Sequence, residues 1–530
     1  MTQEKFDTIL ILDFGSQVTQ LIARRIRARN VHAEIVPFHT PIERMADPAI
    51  KGIIFSGGPA SVYAKGSPQV NPEVFDLGKP ILGICYGLQL LAHNLGGKVE
   101  RGERREYGKA ELHVRNKEEG ISLRPELRPR GNKNNLFYKT PPKQIVWMSH
   151  GDAVRKIPRG FKVAATSAHS PYASIADRAR KIYGVQFHPE VWHTEYGTQI
   201  LENFAKNICK ARAQWTAKHF VSEAVQEIRA QVGKRHVVHA LSGGVDSTVL
   251  ALLLKKALPA KQVKNIFIDN GVLRLHEAKE VMVNLKKLGL TVQHVDASKE
   301  FLKPLEGVVE PETKRKIIGR KFIEILMGNV HAKDMLSQGT LYPDVIESVS
   351  VRGPSDTIKT HHNRAPEVLE LIKEGRVVEP LKEFFKDEVR VIGKELGMPD
   401  ELIWRHPFPG PGLAIGILGD VTEERLRILR EADAIFIEEI RNAGLYNKVT
   451  EAFAALDTSR AVGVKGDERE YGYMILLRAI TTTDFMTADW YPFEPEFLGR
   501  VANRIVNEVR GVTRVLYDIT QKPPGTIRYM

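Results

Sequence analysis

Residues 81–90 read Ile-Leu-Gly-Ile-Cys-Tyr-Gly-Leu-Gln-Leu, an apolar strand-type run that ends at Cys85 and passes at once into a helical pattern. Gly83 and Gly87 flank the cysteine two residues away on each side. A strand-to-helix elbow holds a nucleophile in strained backbone at the sheet's carboxyl edge, and glycines are needed where neighbouring side chains would clash. The helix N-terminus favours the thiolate there. A lone cysteine is otherwise a small core hydrophobe, so its partners matter. The stretch Gly-Val-Gln-Phe-His-Pro-Glu ends the same block and sets His188 and Glu190 two apart at a strand end, hence on one face. That spacing suits a general base oriented by a carboxylate, or else a surface histidine and glutamate flanking a proline. Cys209, in a helical stretch away from any elbow, reads as structural.

A second group is Leu-Ser-Gly-Gly-Val-Asp-Ser-Thr, residues 241–248. It falls between a strand and a helix, so its backbone N–H groups form an anion nest at the positive end of a helix dipole. Small residues admit phosphate oxygens to the backbone of Gly243, Gly244 and Val245, and Ser242 and Ser247 add hydroxyls. The stretch lacks a Gly-Lys-Ser/Thr ending and is not a Walker loop.

These groups need rigid elements beneath them. Up to about Lys210, strand-type runs (Ile9–Leu12, Gly52–Phe55, Ile81–Ile84, Ile182–Phe187) alternate with helical ones (Gln17–Ala28, Gly87–Leu95), which predicts a parallel sheet covered by helices. Helix is also expected over Leu201–Ala213. A second βαβ series follows: strand His236–Ala240, helix Ser247–Ala257, strand Val263–Ile268, helix Glu277–Leu288 and strand Thr291–Val295. Three prolines and two glycines in Arg405–Gly412 forbid a continuing helix and start a third block. Helices Glu423–Ala443 and Pro495–Val509 and strands Tyr473–Ala479 and Thr513–Asp518 predict a small α+β domain there. Arg124–Pro142, rich in proline, arginine and lysine without periodicity, reads as a surface loop.

Length and composition bound the rest. A chain of 530 residues suggests three or four domains at roughly 150 residues each. Hydrophobic residues at 42% and charged ones at 27% are those of an ordinary globular protein. The amino-terminal residues lack the pattern of a signal peptide, and no apolar run is long enough to span a bilayer, so a cytoplasmic protein is expected. Two cysteines make no disulfide framework. The net charge of +13 leaves open an RNA-binding or regulatory protein. The basic residues are dispersed, with short clusters at Arg101–Arg105 and Lys314–Lys316, and are not interleaved with aromatics. A surface suited to anionic nucleotide substrates is the reading adopted, without nucleic-acid or membrane partners.

The Cys-x-Gly-x-Gln at Cys85, the later His188-Pro-Glu190 and Ser56-Gly-Gly-Pro59 resemble the triad glutamine amidotransferases. By that resemblance Cys85 attacks the glutamine amide, His188 shuttles its proton, Glu190 orients His188, and backbone amides at Gly58 and Tyr86 form the oxyanion hole. Ser-Gly-Gly-x-Asp-Ser resembles the loop of enzymes that cleave ATP between its α and β phosphates, which implies Asp246 as a Mg²⁺ ligand. It also implies Asp269, Phe322 and Lys382 at the nucleotide and a mobile lid at Lys314–Arg320. The third block (His406–Leu413, Val462–Asp467, Thr483–Thr487, Lys522–Thr526), with Gln338–Asp344 and Lys359–Asn363, resembles the GMP synthases.

Over residues 6–527 the resemblance implies an α/β fold. Two doubly wound parallel-sheet domains, an amidotransferase (1–210) and an ATP pyrophosphatase of the adenine nucleotide α-hydrolase type (211–405), precede a small α+β domain (406–530). That last domain would bind XMP and form a homodimer. Arg315, Asp467 and Lys522 are the implied XMP contacts, with glutamine, XMP and ATP as substrates. Two positions depart from the family: Arg528 stands where a glutamate is usual and Glu451 where a glutamine is usual. Opposite swaps of this kind are expected to form an ion pair. They leave open, as the alternative, a related enzyme acting on another nucleotide.

Overall fold

The computed structural model describes residues 6–115, 133–342, 344, 366–408, 410–465, 468–482 and 487–529. Contacts divide the chain into two compact units, one of Met1–Phe220 and one beginning at Val221.

Among the described residues the first unit is built on nine strands: β1 (Thr8–Asp13), β2 (His32–Pro37), β3 (Ile50–Phe55), β4 (Ile81–Ile84), β5 (Lys98–Val114), β6 (Lys143–Lys156), β7 (Lys162–Thr166), β8 (Ser174–Asp177) and β9 (Ile182–Val185). Their order is β2-β1-β3-β4-β9-β8-β7-β5-β6. From β2 to β9 every pairing is parallel, and the strands match the apolar runs seen in the sequence. β1, β4 and β9 are buried along nearly their whole length, as strands covered on both faces must be.

Beyond β9 the sheet turns antiparallel, a feature the sequence reading did not contain. The reason is local. β6 alternates buried and exposed positions, the signature of a sheet with one solvated face, and so lacks the continuous apolar run by which the parallel strands were found. A second correction concerns Leu201–Ala213. An α-helix covers Gly197–Glu202, a π-helical turn follows over Asn203–Ile208, and Lys210 at φ 58° ends the helical path.

The described residues of the second unit form two sheets. One, β10 (Val237–Leu241), β11 (Val263–Asp269), β12 (Val292–Asp296), β13 (Met335–Ser337) and β14 (Val377–Val378), is wholly parallel in the order β12-β11-β10-β13-β14. The chain order reverses between β10 and β13, and in open sheets of this kind ligands bind beyond the carboxyl ends at that reversal. The other sheet combines β15 (Ile417–Leu418), β16 (Glu451–Lys465), β17 (Glu468–Thr481), β18 (Asp489–Trp490) and β19 (Val512–Tyr517). Helices Glu423–Asn442 and Pro495–Glu508 pack on it. One hydrophobic cluster joins Val238, Ile266 and Leu336 of the first sheet to Leu429, Ile475 and Val501 of the second. The change of sheet at the proline-rich stretch is therefore not a gap in packing. Among the described residues no helix is long and apolar enough to cross a membrane.

Lys314–Arg320, expected as a mobile lid, lies instead within helix Pro311–Met327. Lys314 is fully buried, and its ammonium donates to the carbonyls of Ala414 (3.1 Å), Ile417 (2.8 Å) and Gly419 (2.6 Å). Three donors met by three carbonyls tie the helix to the entry of the second sheet, which a lid would not survive. Burial lowers the Lys314 pKa to about 8. The unfolded chain then holds more protons than the native one between about pH 8 and 10.5, and this group's contribution to stability rises with pH across that window. Denaturant unfolding at pH 7 and pH 9.5 should show wild type gaining about 2 kcal/mol on Lys314→Met. A constant difference between the two proteins would contradict the assignment.

Candidate active sites

Cys85 follows β4 directly, and helix Tyr86–Asn94 follows Cys85. The residue has φ 53° and ψ −105°, strained for any side chain. Its N–H donates to Val185 O on β9 at 2.8 Å, and its carbonyl accepts from Gln89 N at 3.2 Å. A Cβ on Gly83 would lie 2.5 Å from the Gly87 carbonyl, and one on Gly87 would lie 2.3 Å from Phe55 O. Both glycines are thus required by backbone on backbone. Around the sulfur, Gln186 Nε2 lies at 3.7 Å and the Ser149 carbonyl at 3.6 Å.

β9 ends two residues before Phe187 and delivers His188 and Glu190 to the same edge. His188 Nδ1 and Glu190 Oε1 are 2.7 Å apart, and both side chains are buried. Backbone bonds hold the pair: His188 N donates to Trp147 O (2.9 Å), Thr194 Oγ1 to His188 O (2.6 Å), and Arg25 Nε to Glu190 O (2.6 Å). Burial opposes a charge on His188, but Glu190 and then Cys85 outweigh it and raise its pKa well above the ordinary imidazole value. The turn after β3 closes the site. A Cβ on Gly57 would stand 3.1 Å from His188 Cε1, and one on Gly58 would stand 2.6 Å from Phe14 O. Gly87 N binds Ser56 O at 3.1 Å, drawing this turn onto the first helical turn. There the N–H of Tyr86 has no partner within its helix. The Tyr86 ring is buried, its hydroxyl donating to Pro68 O at 2.5 Å.

Sequence reasoning missed Gln186, Ser149 and Asp152. Gln89 Nε2 donates to Asp152 O (2.9 Å) and approaches Gln186 Oε1 (3.5 Å), so the amide of Gln186 reaches the sulfur already braced. The two-residue spacing of Gln186 and His188 was the available signal. Ser149 and Asp152 lie on β6, and only pairing across the sheet brings them here. Cys209 is buried, and burial pushes its thiol far above the ordinary value.

In the second unit Ser242–Ser247 turns from β10 into helix Val245–Ala257, at the reversal point of its sheet. Gly243 has φ 74°. Ser247 Oγ accepts from Ser242 N (3.3 Å), and Ser242 Oγ accepts from Gly244 N (3.3 Å), so the serines occupy the loop's own amides. Asp246 Oδ2 lies 3.5 Å from Lys386 Nζ, while Oδ1 is buried with no hydrogen-bond partner among the described residues. Burial raises the Asp246 pKa against the opposing charge of Lys386, and Asp344 adds to the rise. No signal in the sequence set Lys386 apart from Lys382, which is exposed on the turn after β14. Asp269 ends β11, its Oδ1 accepting from Gly271 N at 2.9 Å. Arg315 and Phe322 lie on helix Pro311–Met327.

Glu451 opens β16, and Arg528 meets it from the carboxyl-terminal segment: Nε and Nη2 lie 2.7 and 2.6 Å from Glu451 Oε1. The expected ion pair is present. The guanidinium stands 3.9 Å over the Phe453 ring. Burial lowers the Arg528 pKa and Glu451 opposes the fall. Buried Arg478 secures the segment, donating to Ile527 O (2.8 Å) and Thr526 O (2.9 Å) and pairing with Asp518 (2.8 Å). Lys522 is half-buried, bridged through its backbone to Ala488. Asp467 lies outside the described residues, as do Pro343, Lys359–Asn363, Gly466 and Thr483–Met486.

A cationic His188 beside the sulfur predicts fast alkylation of Cys85 at neutral pH. Iodoacetamide at pH 7 should label His188→Gln at Cys85 about tenfold more slowly than wild type, with the gap closing toward pH 9 and Cys209 unlabelled in both. Peptide mass mapping reads both cysteines, and equal rates at pH 7 would contradict the pairing.

Residues 10–208 match the family described as glutamine amidotransferase class-I, residues 215–333 the NAD synthase family, and residues 438–529 the GMP synthase C terminal domain. The chain is 52% identical over 544 residues to a glutamine-hydrolysing GMP synthase of Phaeosphaeria nodorum, covering 98% of this chain and 97% of that one. It is 53% identical over 534 residues to that of Eremothecium gossypii, covering 99% and 98%. The corresponding protein of Allorhizobium ampelinum is 52% identical over 530 residues, also covering 99% and 98%. With both units matched in single relatives over nearly their whole lengths, this chain belongs to the glutamine-hydrolysing GMP synthase family.

Proposed function

We infer that this protein makes GMP from XMP, taking ammonia from glutamine and driving the exchange with ATP. The observation that carries the reading is the buried, hydrogen-bonded His188–Glu190 pair beside a cysteine held at a strained elbow, in a chain that also carries a pyrophosphate loop.

In the first unit, Cys85 Sγ attacks the side-chain amide carbon of glutamine. The developing oxyanion meets the amides of Tyr86 and Gly58. His188 gives its proton to the departing nitrogen, the C–N bond breaks, and ammonia leaves. Water, deprotonated by His188, then cleaves the thioester to release glutamate. Glu190 keeps the imidazole oriented and stabilises its cation throughout.

In the second unit, the oxygen at C2 of XMP attacks the α-phosphorus of ATP and pyrophosphate leaves. Ammonia adds at C2 and AMP departs, giving GMP. Ser242–Ser247 binds the phosphates, whose oxygens displace the serine hydroxyls from the loop amides. Asp246 is the residue that would hold Mg²⁺, its Oδ1 being buried without a protein partner among the described residues. No cluster of three or more acidic, histidine or cysteine side chains fit to hold a metal occurs among those residues, which suits a cation that takes most of its ligands from phosphate and water. When bound, that ion offsets charge on the leaving pyrophosphate. Asp269 serves the adenosine, with Phe322 and Lys382. Glu451, Arg528, Arg315, Lys522 and Asp467 serve XMP, with Glu451 and Arg528 acting as a neutral pair.

A homodimer and a cytoplasmic location belong to this reading. Val462, Val464 and Tyr471 support the dimer, standing exposed together on the β16–β17 hairpin with Val462 directly opposite Tyr471. Light scattering should give twice the chain mass for wild type and a shift toward the single chain for Val464→Glu.

Product analysis tests the chemistry. Incubation with glutamine, XMP and Mg-ATP should yield GMP, AMP, pyrophosphate and glutamate in equal amounts. Cys85→Ala should lose at least about a thousandfold with glutamine and keep its rate with added ammonia. Glutamate without GMP would refute the acceptor assignment.

A further inference from the structure

A line of alternating charge runs through the second unit from the pyrophosphate loop to the Glu451–Arg528 pair. At the loop, Arg405 Nη1 donates to Gly243 O at 3.1 Å, and Arg405 Nη2 is paired with Glu277 Oε1. The other oxygen of Glu277 accepts the Arg274 backbone N–H at 2.9 Å. The Arg274 guanidinium pairs with Asp433 at 3.1 Å, donates to Ala452 O at 3.0 Å, and stands 4.9 Å over Phe408. Asp433 Oδ1 accepts from Ala454 N at 2.9 Å. Ala452 and Ala454 lie on β16, the strand that opens with Glu451. Glu277 is 4% exposed and Asp433 1%, and the four charges sum to zero.

Nothing in the motifs that mark the two nucleotide sites assigns these four residues a part. As a stabilising device the line is a poor choice. Packed hydrophobic residues of similar volume serve a core at least as well, because two buried ions first lose their hydration. What the line does achieve is geometric. Gly243 sits in the left-handed region, with Arg405 Nη1 only 3.3 Å from where its Cβ would be. By holding that carbonyl, Arg405 fixes the peptide that follows, and with it the direction of the Gly244 N–H offered to phosphate. Arg274 does the same work at the far end, gripping β16 at Ala452 beside the pair that faces the acceptor nucleotide.

We propose that Arg405 and Arg274 are positioning residues that couple ATP binding at Ser242–Ser247 to XMP binding at Glu451–Arg528. The proposal rests on the function inferred above. Phosphate entering the loop reorients the Gly243 peptide; Arg405, Glu277, Arg274 and Asp433 carry the adjustment to β16; and occupation of either site favours the other by the same factor.

Calorimetric titration of the full chain with XMP, alone and with saturating α,β-methylene-ATP and Mg²⁺, tests this without turnover. Wild type should bind XMP at least about fivefold more tightly when the analogue is present. Arg405→Gln and Arg274→Gln should each bring that factor to about one, with Arg405→Lys recovering part of it because the pairing with Glu277 survives. Thermal unfolding is measured on the same samples. Variants that lose stability but keep the wild-type factor would show a structural role only and overturn the proposal, as would a wild-type factor of one. Should Arg274→Gln not fold, Arg405→Gln, whose side chain is partly exposed, decides alone. Failure of wild type to bind XMP at all would overturn the acceptor assignment and this proposal together.

Discussion

A parallel sheet must gather the carboxyl ends of all its strands along one edge, and both halves of this enzyme depend on that constraint. β3, β4 and β9 end within reach of one another and bring Ser56–Gly58, Cys85 and His188–Glu190 to a single place, although those residues are scattered over more than a hundred positions of chain. β10 and β11 do the same for Ser242–Ser247 and Asp269. At Cys85 a helix begins at once, and after Ser242–Gly244 another begins at Val245, so the N-terminal N–H groups of a helix gather at both strand ends. In the function proposed above, one backbone arrangement serves an oxyanion in the first unit and a pyrophosphate in the second.

Close approach has a cost that the sequence visibly meets. The elbow at Cys85 exists only because Gly83 and Gly87 lack side chains, and the bond from Cys85 N to Val185 O holds the strained backbone in place. Strain there is local and is over-determined by the strands around it. The second unit meets a different difficulty, that of buried charge. Lys314 is satisfied by three carbonyls, Arg478 by two carbonyls and Asp518, and Arg528 by Glu451 and the face of Phe453. In each case a cation ties a terminal or connecting segment to the sheets. Leaving any one of them unpaired would cost several kcal/mol, so these segments are fixed as firmly as the strands they join.

The exchange at Glu451 and Arg528 shows how such a pair behaves under substitution. Arg528 without Glu451 would set an uncompensated cation against Phe453, whereas the two together make a neutral pair.

Much of this was legible in the chain alone. The apolar runs at Ile9–Leu12 and Ile81–Ile84 read as buried strands, because both faces of each are covered and leave no place for a polar side chain. The elbow and the serine–glycine loop were legible for a related reason: steric limits at close approach leave glycine no substitute, so the residue types report the backbone directly. By contrast, β5 and β6 carry their pattern on one face only, and their place at the edge beyond β7 could not be read. Ser149, Asp152, Lys386, Arg405 and Glu277 were invisible for the same underlying cause. A carbonyl, a lysine or an arginine looks alike everywhere in a sequence, and what each does depends on which distant group the fold sets beside it. The sequence by itself determined the buried strands and the two glycine-lined turns, through local sterics and burial, and the resemblance of its motifs supplied the two chemistries. Only the tertiary structure decided which polar groups brace those sites, because hydrogen bonds and ion pairs between distant residues leave no periodicity in the chain.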